Sequence, residues 1–131
     1  MAANTLCKSE RIDKKKVIDR LFSGGARSFS LYPLRVVYLP VEQLDVQAAI
    51  LVSVSKRHFK RAVKRNRVKR QIREAYRQNK QPLWAALAER NCRMAIAFIY
   101  LSDHLVETSL IEERMKTALN RIAETSFNLP S

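Results

Sequence analysis

The sequence predicts an α/β protein with elements in the order α-β-β-α-β-α, and three observations carry that expectation. Apolar residues make up 47% of the 131 residues, enough at one domain's length to bury a core. Two runs, VQAAILVSV (Val46 to Val54) and RMAIAFIYL (Arg93 to Leu101), are dense in Val, Ile and Leu, which a disordered basic chain would lack. Around them, apolar residues recur at three- and four-residue spacing, the mark of helices with one buried face. No repeat, low-complexity tract or linker divides the chain, and Gly occurs only at Gly24 and Gly25. A single domain is therefore expected over 1–131, with its ordered core at about 8–124.

The first helix is expected from about Lys14 to Phe22. Asp13 can cap it, Ile12 and Val17 are placed for a hydrophobic staple, Val17, Ile18, Leu21 and Phe22 share helical spacing, and Gly24 can end it. LYPLRVVYL (Leu31 to Leu39) reads as a strand stopped by Pro40, which cannot donate to a ladder. Leu34, Val36 and Tyr38 would lie on one face of it, and Arg35, Val37 and Leu39 on the other. PVEQLD leads to the second strand, Val46 to Val54. From Ala62 to Gln78 a helical wheel gathers Val68, Ile72, Ala75 and Tyr76 into one sector, the face expected to pack on a sheet. QPLWAALAERN can form a short helix with Pro82 in its first turn and Asn91 helping to end it. Arg93 to Leu101 is the third strand, apolar on nearly every residue, as a strand covered on both faces should be. Ser109 and Glu112 fit a capping box for a last helix striped by Ile111, Met115, Ala118, Leu119 and Ile122.

Charge is concentrated on one of these elements. Lys56 to Lys80, KRHFKRAVKRNRVKRQIREAYRQNK, holds twelve Lys or Arg and one acid, Glu74, so it carries +11 of the chain's +13. Opposite the apolar sector, Asn66, Arg70, Arg73 and Arg77 form a row flanked by Lys69 and Arg67. Arg65 falls in the apolar sector, where it can snorkel outward from the helix entrance, and Val63 falls in the basic one. Solvated helix faces interleave Glu with Lys or Arg; here close cation pairs repel by a few tenths of a kcal/mol each, roughly, until an anion neutralises them. A pI near 10.4 points the same way, to RNA, DNA or an anionic membrane surface. A membrane-surface helix would need bulky apolar residues opposite the charges, and the stripe here is short and committed to a sheet.

Other classes fit less well. No apolar run approaches the roughly 18 residues of a membrane span, and MAANTLCKSE lacks the apolar core of a signal peptide, so a cytoplasmic protein is expected. Cys7 and Cys92, far apart and without metal-ligand spacing, read as free thiols. A protein-only nuclease would need acid, base and metal ligands, yet neither His58 nor His104 has an H-x-x-x-H spacing or a paired carboxylate motif beside it. His58, next to Phe59 among basic residues, reads as an RNA contact or a surface ring.

The string SVSKRHFKRAVKRNRVKRQIREAYR (Ser53 to Arg77) closely resembles the signature of the protein subunit of bacterial ribonuclease P. In that family a strand ending in S-x-S-K leads into A-V-x-R-N-R-x-K-R-x-x-R-E; here Ser53, Ser55 and Lys56 precede AVKRNRVKRQIRE, Ala62 to Glu74. The resemblance runs from Lys8 to Ile122. It implies an α+β sandwich with a small mixed sheet, a fold shared with a ribosomal protein domain. It also implies a left-handed β-α-β crossover over Ala62 to Asn79, against the right-handed rule that general topology follows in about 98% of cases.

The same resemblance implies the function. The protein would join a catalytic RNA and help remove the 5′ leader of precursor tRNA, while Mg²⁺ held mainly by the RNA performs hydrolysis. No side chain of the protein would be catalytic, and no cofactor, membrane or obligate protein partner is called for. Carried over by position, Arg65, Asn66, Arg67, Lys69, Arg70 and Arg73 would meet the catalytic RNA, joined by Lys56, Arg57, Lys60, Arg61 and Lys64. Guanidinium groups can bond phosphate bidentately and so fix orientation as well as charge. A leader cleft between the sheet face and the R-N-R helix is implied, lined by Phe22, Val36 and Tyr38, with Ile18 where the family often has an aromatic. For Phe22 and Val36, plain core packing is an equal reading. The stretch RHFKR is one residue longer than the family pattern and lacks its glycine, so the turn into the helix must be built differently. The alternative is a ribosomal or other RNA-binding module of the same fold, against which the uninterrupted motif speaks.

Overall fold

Alternation of side chains along three strands decides which helix each face of the sheet meets. The structure, a computed structural model, describes residues 15–22, 26–41, 48–57 and 59–126. Its order is α1 (Lys15–Leu21), β1 (Arg27–Leu31), β2 (Leu34–Pro40), β3 (Ala48–Val54), α2 (Ala62–Asn79), α3 (Gln81–Glu89), β4 (Met94–Tyr100) and α4 (Thr108–Ser126). The sheet runs β1-β2-β4-β3. β1 and β4 are both antiparallel to β2, and β3 is parallel to β4.

The order differs from the expected one by a strand and a helix. The stretch expected as a single strand from Leu31 is a hairpin: a turn at Tyr32-Pro33, with a cis peptide bond, separates β1 from β2, and Phe29 pairs with Val36. Pro40 closes β2 opposite Met94, the first residue of β4. QPLWAALAE is a helix in its own right, with Pro82 in its first turn. Asn91 ends it at φ 51, the left-handed conformation Asn tolerates, while the Cys92 N–H bonds the Leu87 carbonyl at 2.9 Å.

Leu34, Val36 and Tyr38 of β2 point into the larger core with the even-numbered residues of β3 and β4. α2 and α4 cover that face, and α3 packs on α4 with Leu83 and Leu87 in the same core. α2 contributes Val68, Ile72, Ala75 and Tyr76, the four residues the wheel selects, and α4 contributes Ile111, Met115, Ala118, Leu119 and Ile122. The opposite face is built from small residues, Ala49, Ala95 and Ala97, with Val37 and Val41, and α1 sets Leu21 against it, with Ile18 partly buried there. β4 is thus covered on both sides, and every residue from Met94 to Phe98 is fully buried.

One helix start departs from expectation. α4 starts one residue before Ser109, whose hydroxyl donates to the Glu107 carboxylate at 3.4 Å, and the Glu107 carbonyl accepts the Leu110 and Ile111 N–H groups. Glu107, then, occupies the cap position, and the Ser109–Glu112 box is not formed. The cap, staple and stop expected for the first helix, at Asp13, Ile12 and Gly24, lie outside the described residues, as do the PVEQLD linker beyond Val41, Cys7 and His58. Lys80 joins α2 to α3 without a loop; it is 2% exposed, with its ammonium 4.8 Å from the centre of the Trp84 ring, and Trp84 Nε1 donates to the Tyr76 hydroxyl at 2.9 Å. One cation of the basic segment is thereby withdrawn from the surface.

Candidate nucleic-acid interface

β3 delivers the chain to the basic segment through a tight loop. The Ser55 hydroxyl accepts the Arg57 N–H at 3.0 Å and its carbonyl accepts the Phe59 N–H at 3.2 Å, curling the chain back at the strand end. Phe59 is buried, with its ring centre 6.0 Å from that of Tyr100, so it plugs the loop into the core. This is the turn built without the family's glycine. Lys56, Arg57, Lys60 and Arg61 are left exposed around it, followed by Lys64 on the first turn of α2.

Arg65 is spent inside the protein. Its Nη1 donates to the Phe59 carbonyl at 2.7 Å and the Lys60 carbonyl at 2.9 Å. Instead of snorkelling into solvent from the apolar sector, the side chain folds back and staples the loop onto the helix, whose cap residue Arg61 makes no side-chain cap bond. Charge pattern could not have assigned this role, because it depends on where the preceding loop returns.

Beyond Arg65 the polar row is as the wheel places it. Asn66, Arg67 and Arg70 are exposed, and Lys69, Arg73 and Arg77 are half-buried on the same helix. Glu74 is taken by Arg77: Nε meets Oε2 at 3.0 Å and Nη2 meets Oε1, with Gln78 Nε2 on the same oxygen at 3.0 Å. That hydrogen bond from Arg77 holds the Glu74 carboxyl below its ordinary range, and Glu74 in turn raises Arg77. The segment's only acid is thus neutralised within the last turns of α2. Among the described residues no side-chain partner engages Arg67, Lys69 or Arg70. Val63, in the basic sector as expected, is 79% exposed and adds an apolar contact beside these cations.

The four cleft residues are not brought together. Val36 and Tyr38 are 0% and 4% exposed in the core beneath α2 and α4, where the Tyr38 and Phe29 rings pack edge to face with centres 5.9 Å apart. Ile18 lies on the other side of the sheet with α1, and Phe22, just past the end of α1, is 51% exposed. The period of two along β2 explains the split: the residues of β2 that share a face with α1 are Arg35, Val37 and Leu39. Val36 and Tyr38 are therefore core residues, and only Phe22 and Ile18 remain on the α1 side.

The described residues include no group of three or more His, Cys, Asp or Glu side chains able to hold a metal ion, and no helix among them is long and apolar enough to cross a membrane. The family model described as Ribonuclease P matches residues 6–123. A relative from Porphyromonas gingivalis called Ribonuclease P protein component is 47% identical over 127 residues, covering 96% of this chain and 90% of its own. One of the same name from Chlorobaculum tepidum is 38% identical over 104 residues, covering 74% and 68%. Among solved structures, the RNase P protein of Staphylococcus aureus superposes with a TM-score of 0.68 at 24% identity, over 89% of this chain and 97% of its own. That of Thermotoga maritima gives 0.55 at 19%, over 91% and 93%. At these identities the two superpositions speak for the fold.

Proposed function

The chain belongs to the ribonuclease P family of protein components, and from that premise we propose that α2 and the loop before it grip the catalytic RNA while the α1 side of the sheet meets the leader. Its role is that of the protein subunit of the tRNA-processing endoribonuclease, and the catalytic RNA is a separate chain. The family's reaction is maturation of the 5′ end of tRNA.

The observation that carries the contact surface is the row Arg67, Lys69 and Arg70, left without acidic partners on a helix whose only Glu is already paired. Such a row gains most from phosphates, and Arg adds bidentate geometry. Lys56, Arg57, Lys60, Arg61 and Lys64 extend it around the helix entrance, with Asn66 and Arg73 along its length; Arg65 acts by holding that entrance in place. The Mg²⁺ ions of the reaction are assigned to the RNA, because a row of guanidinium and ammonium groups repels a divalent cation. On this reading the protein neutralises phosphate and positions RNA, and the bond cleavage is RNA chemistry.

Leader binding is assigned to Phe22, with Ile18 behind it on the alanine-rich face. An exposed ring stacks on any base, which suits leaders of varied sequence. The protein would work as one domain in the cytoplasm. The test is reconstitution: purified protein added to ribonuclease P RNA and precursor tRNA at low Mg²⁺ should restore cleavage, and protein alone should not cleave. Cleavage by protein alone would point to a nuclease site, and no stimulation of the RNA would point to a generic RNA-binding module.

A further inference from the structure

At the carboxyl ends of the parallel strands β3 and β4 lies an open cavity of about 440 Å³. One wall is the entrance to α2, with Phe59, Lys60, Arg61 and Lys64; the other is the β4–α4 connection, with Asp103, His104 and Leu105. Both walls are pinned. Arg65 ties the Phe59 and Lys60 carbonyls on one side. On the other, the Tyr100 hydroxyl donates to the His104 carbonyl at 2.6 Å and the His104 N–H donates to the Ser102 hydroxyl at 3.0 Å.

We propose that this cavity receives one unpaired RNA nucleotide, its phosphate on Lys60, Arg61 and Lys64 and its base against Leu105 over the buried Phe59. The inference rests on the reading of α2 as an RNA-gripping helix and extends it to a loop that charge would never have singled out, since residues 101–106 contain no Lys or Arg. The chemistry of the walls is divided as a nucleotide is divided. Three cations stand on the α2 side, and Leu105, 38% exposed, offers an apolar surface that a phosphate cannot use and a base can. Asp103 lies beside His104, its Oδ1 3.1 Å from Nε2, and its carboxylate repels a second phosphate while being able to accept a base N–H. The volume falls in the range of small-molecule sites, and the carboxyl ends of parallel strands are where open α/β sheets place ligands. A paired helix presents phosphates on its outside and keeps its bases stacked, so it has no group to fill such a recess.

Either the catalytic RNA or the leader of precursor tRNA could supply that nucleotide, and the experiment separates them. Leu105→Asp, Lys64→Ala and, as control, the double variant Arg67→Ala/Arg70→Ala are compared with the parent chain, folding being checked by circular dichroism. Binding is measured to ribonuclease P RNA alone, and holoenzyme binding to precursor tRNA with and without its leader. If the catalytic RNA fills the cavity, Leu105→Asp should weaken binding to that RNA by about tenfold. If the leader fills it, the loss should appear only with leader-bearing substrate. Parent-like binding by Leu105→Asp and Lys64→Ala in every arm, with Arg67→Ala/Arg70→Ala weakened, would overturn the cavity while leaving the α2 face standing. Unchanged binding by the control as well would overturn both. A benzophenone side chain at position 105 should crosslink to a nucleotide outside RNA helices; crosslinks confined to duplex RNA refute an unpaired occupant.

Discussion

Replacing Arg65 by Ala should cost about 2 kcal/mol of folding stability, even though Arg65 belongs to the most basic stretch of the chain. Its guanidinium makes two hydrogen bonds, at 2.7 Å to the Phe59 carbonyl in a partly buried setting and at 2.9 Å to the exposed Lys60 carbonyl. A hydrogen bond from a charged donor nets roughly 1.5 to 3 kcal/mol, and the exposed carbonyl regains water once the side chain is gone, so most of the loss falls on Phe59. With an unfolding entropy of roughly 2 cal/mol/K per residue, a chain of 131 residues should melt about 6 to 9 °C lower. Arg67, exposed and without a side-chain partner among the described residues, is the control: Arg67→Ala should stay within about 0.5 kcal/mol of the parent while losing RNA affinity. Arg65→Lys, able to reach one carbonyl, should recover part of the loss. Urea unfolding followed by circular dichroism measures all three, with RNA affinity measured separately on folded protein. If Arg65→Ala unfolds at the parent's midpoint, or Arg67→Ala loses as much, the distinction between a loop staple and an RNA contact is wrong.

Removing Arg67 and Arg70 together should flatten the log-log salt dependence of RNA binding by about 1.4 to 1.8, and an unchanged slope would place both off the phosphates. Phe22→Ala should melt with the parent but weaken binding of leader-bearing tRNA by about five- to a hundredfold, with little effect on leaderless tRNA; equal losses for both would take Phe22 out of the leader site. Tyr38→Ala, by contrast, should cost about 3 to 5 kcal/mol of stability and act alike on both substrates, as a core deletion does. Burial pushes the Tyr100 hydroxyl above the ordinary tyrosine value. The folded state therefore holds this proton more tightly than the unfolded state, so its contribution is whole below about pH 10 and is lost as pH rises through the folded value. Urea midpoints between about pH 8 and 11 should fall more steeply for the parent than for Tyr100→Phe, and parallel curves would contradict it.

What periodicity can register was legible, and what depends on the path of the chain was not. The partition of α2 into Val68, Ile72, Ala75 and Tyr76 against a polar row follows from angles alone, as does the stripe of α4. β1, RSFSL, carries only Phe29 and Leu31 among polar residues; it is a strand because β2 lies beside it, and as an edge strand it leaves its other positions to water. Alternation in β2 separates Val36 and Tyr38 from Val37 correctly, yet nothing local says which face α1 will occupy, so a cleft of Phe22, Ile18, Val36 and Tyr38 spans both faces of the sheet. Arg65 falls in the apolar sector by its angle alone, and its partners there, the Phe59 and Lys60 carbonyls, belong to a returning loop that helical periodicity does not encode.

The junction of α2 and α3 has an experimental use. Trp84 is the chain's only tryptophan, and it sits at that junction with its indole N–H on the Tyr76 hydroxyl and the Lys80 ammonium over its ring. Its fluorescence therefore reports, without a label, on whether the back of the basic helix is docked on the sheet. Tyr76 belongs to the buried side of α2, away from the cations, so RNA bound at Arg67 and Arg70 should leave the emission maximum in place, and unfolding should shift it red. Assembly and denaturation can thus be told apart in a single cuvette by one indole.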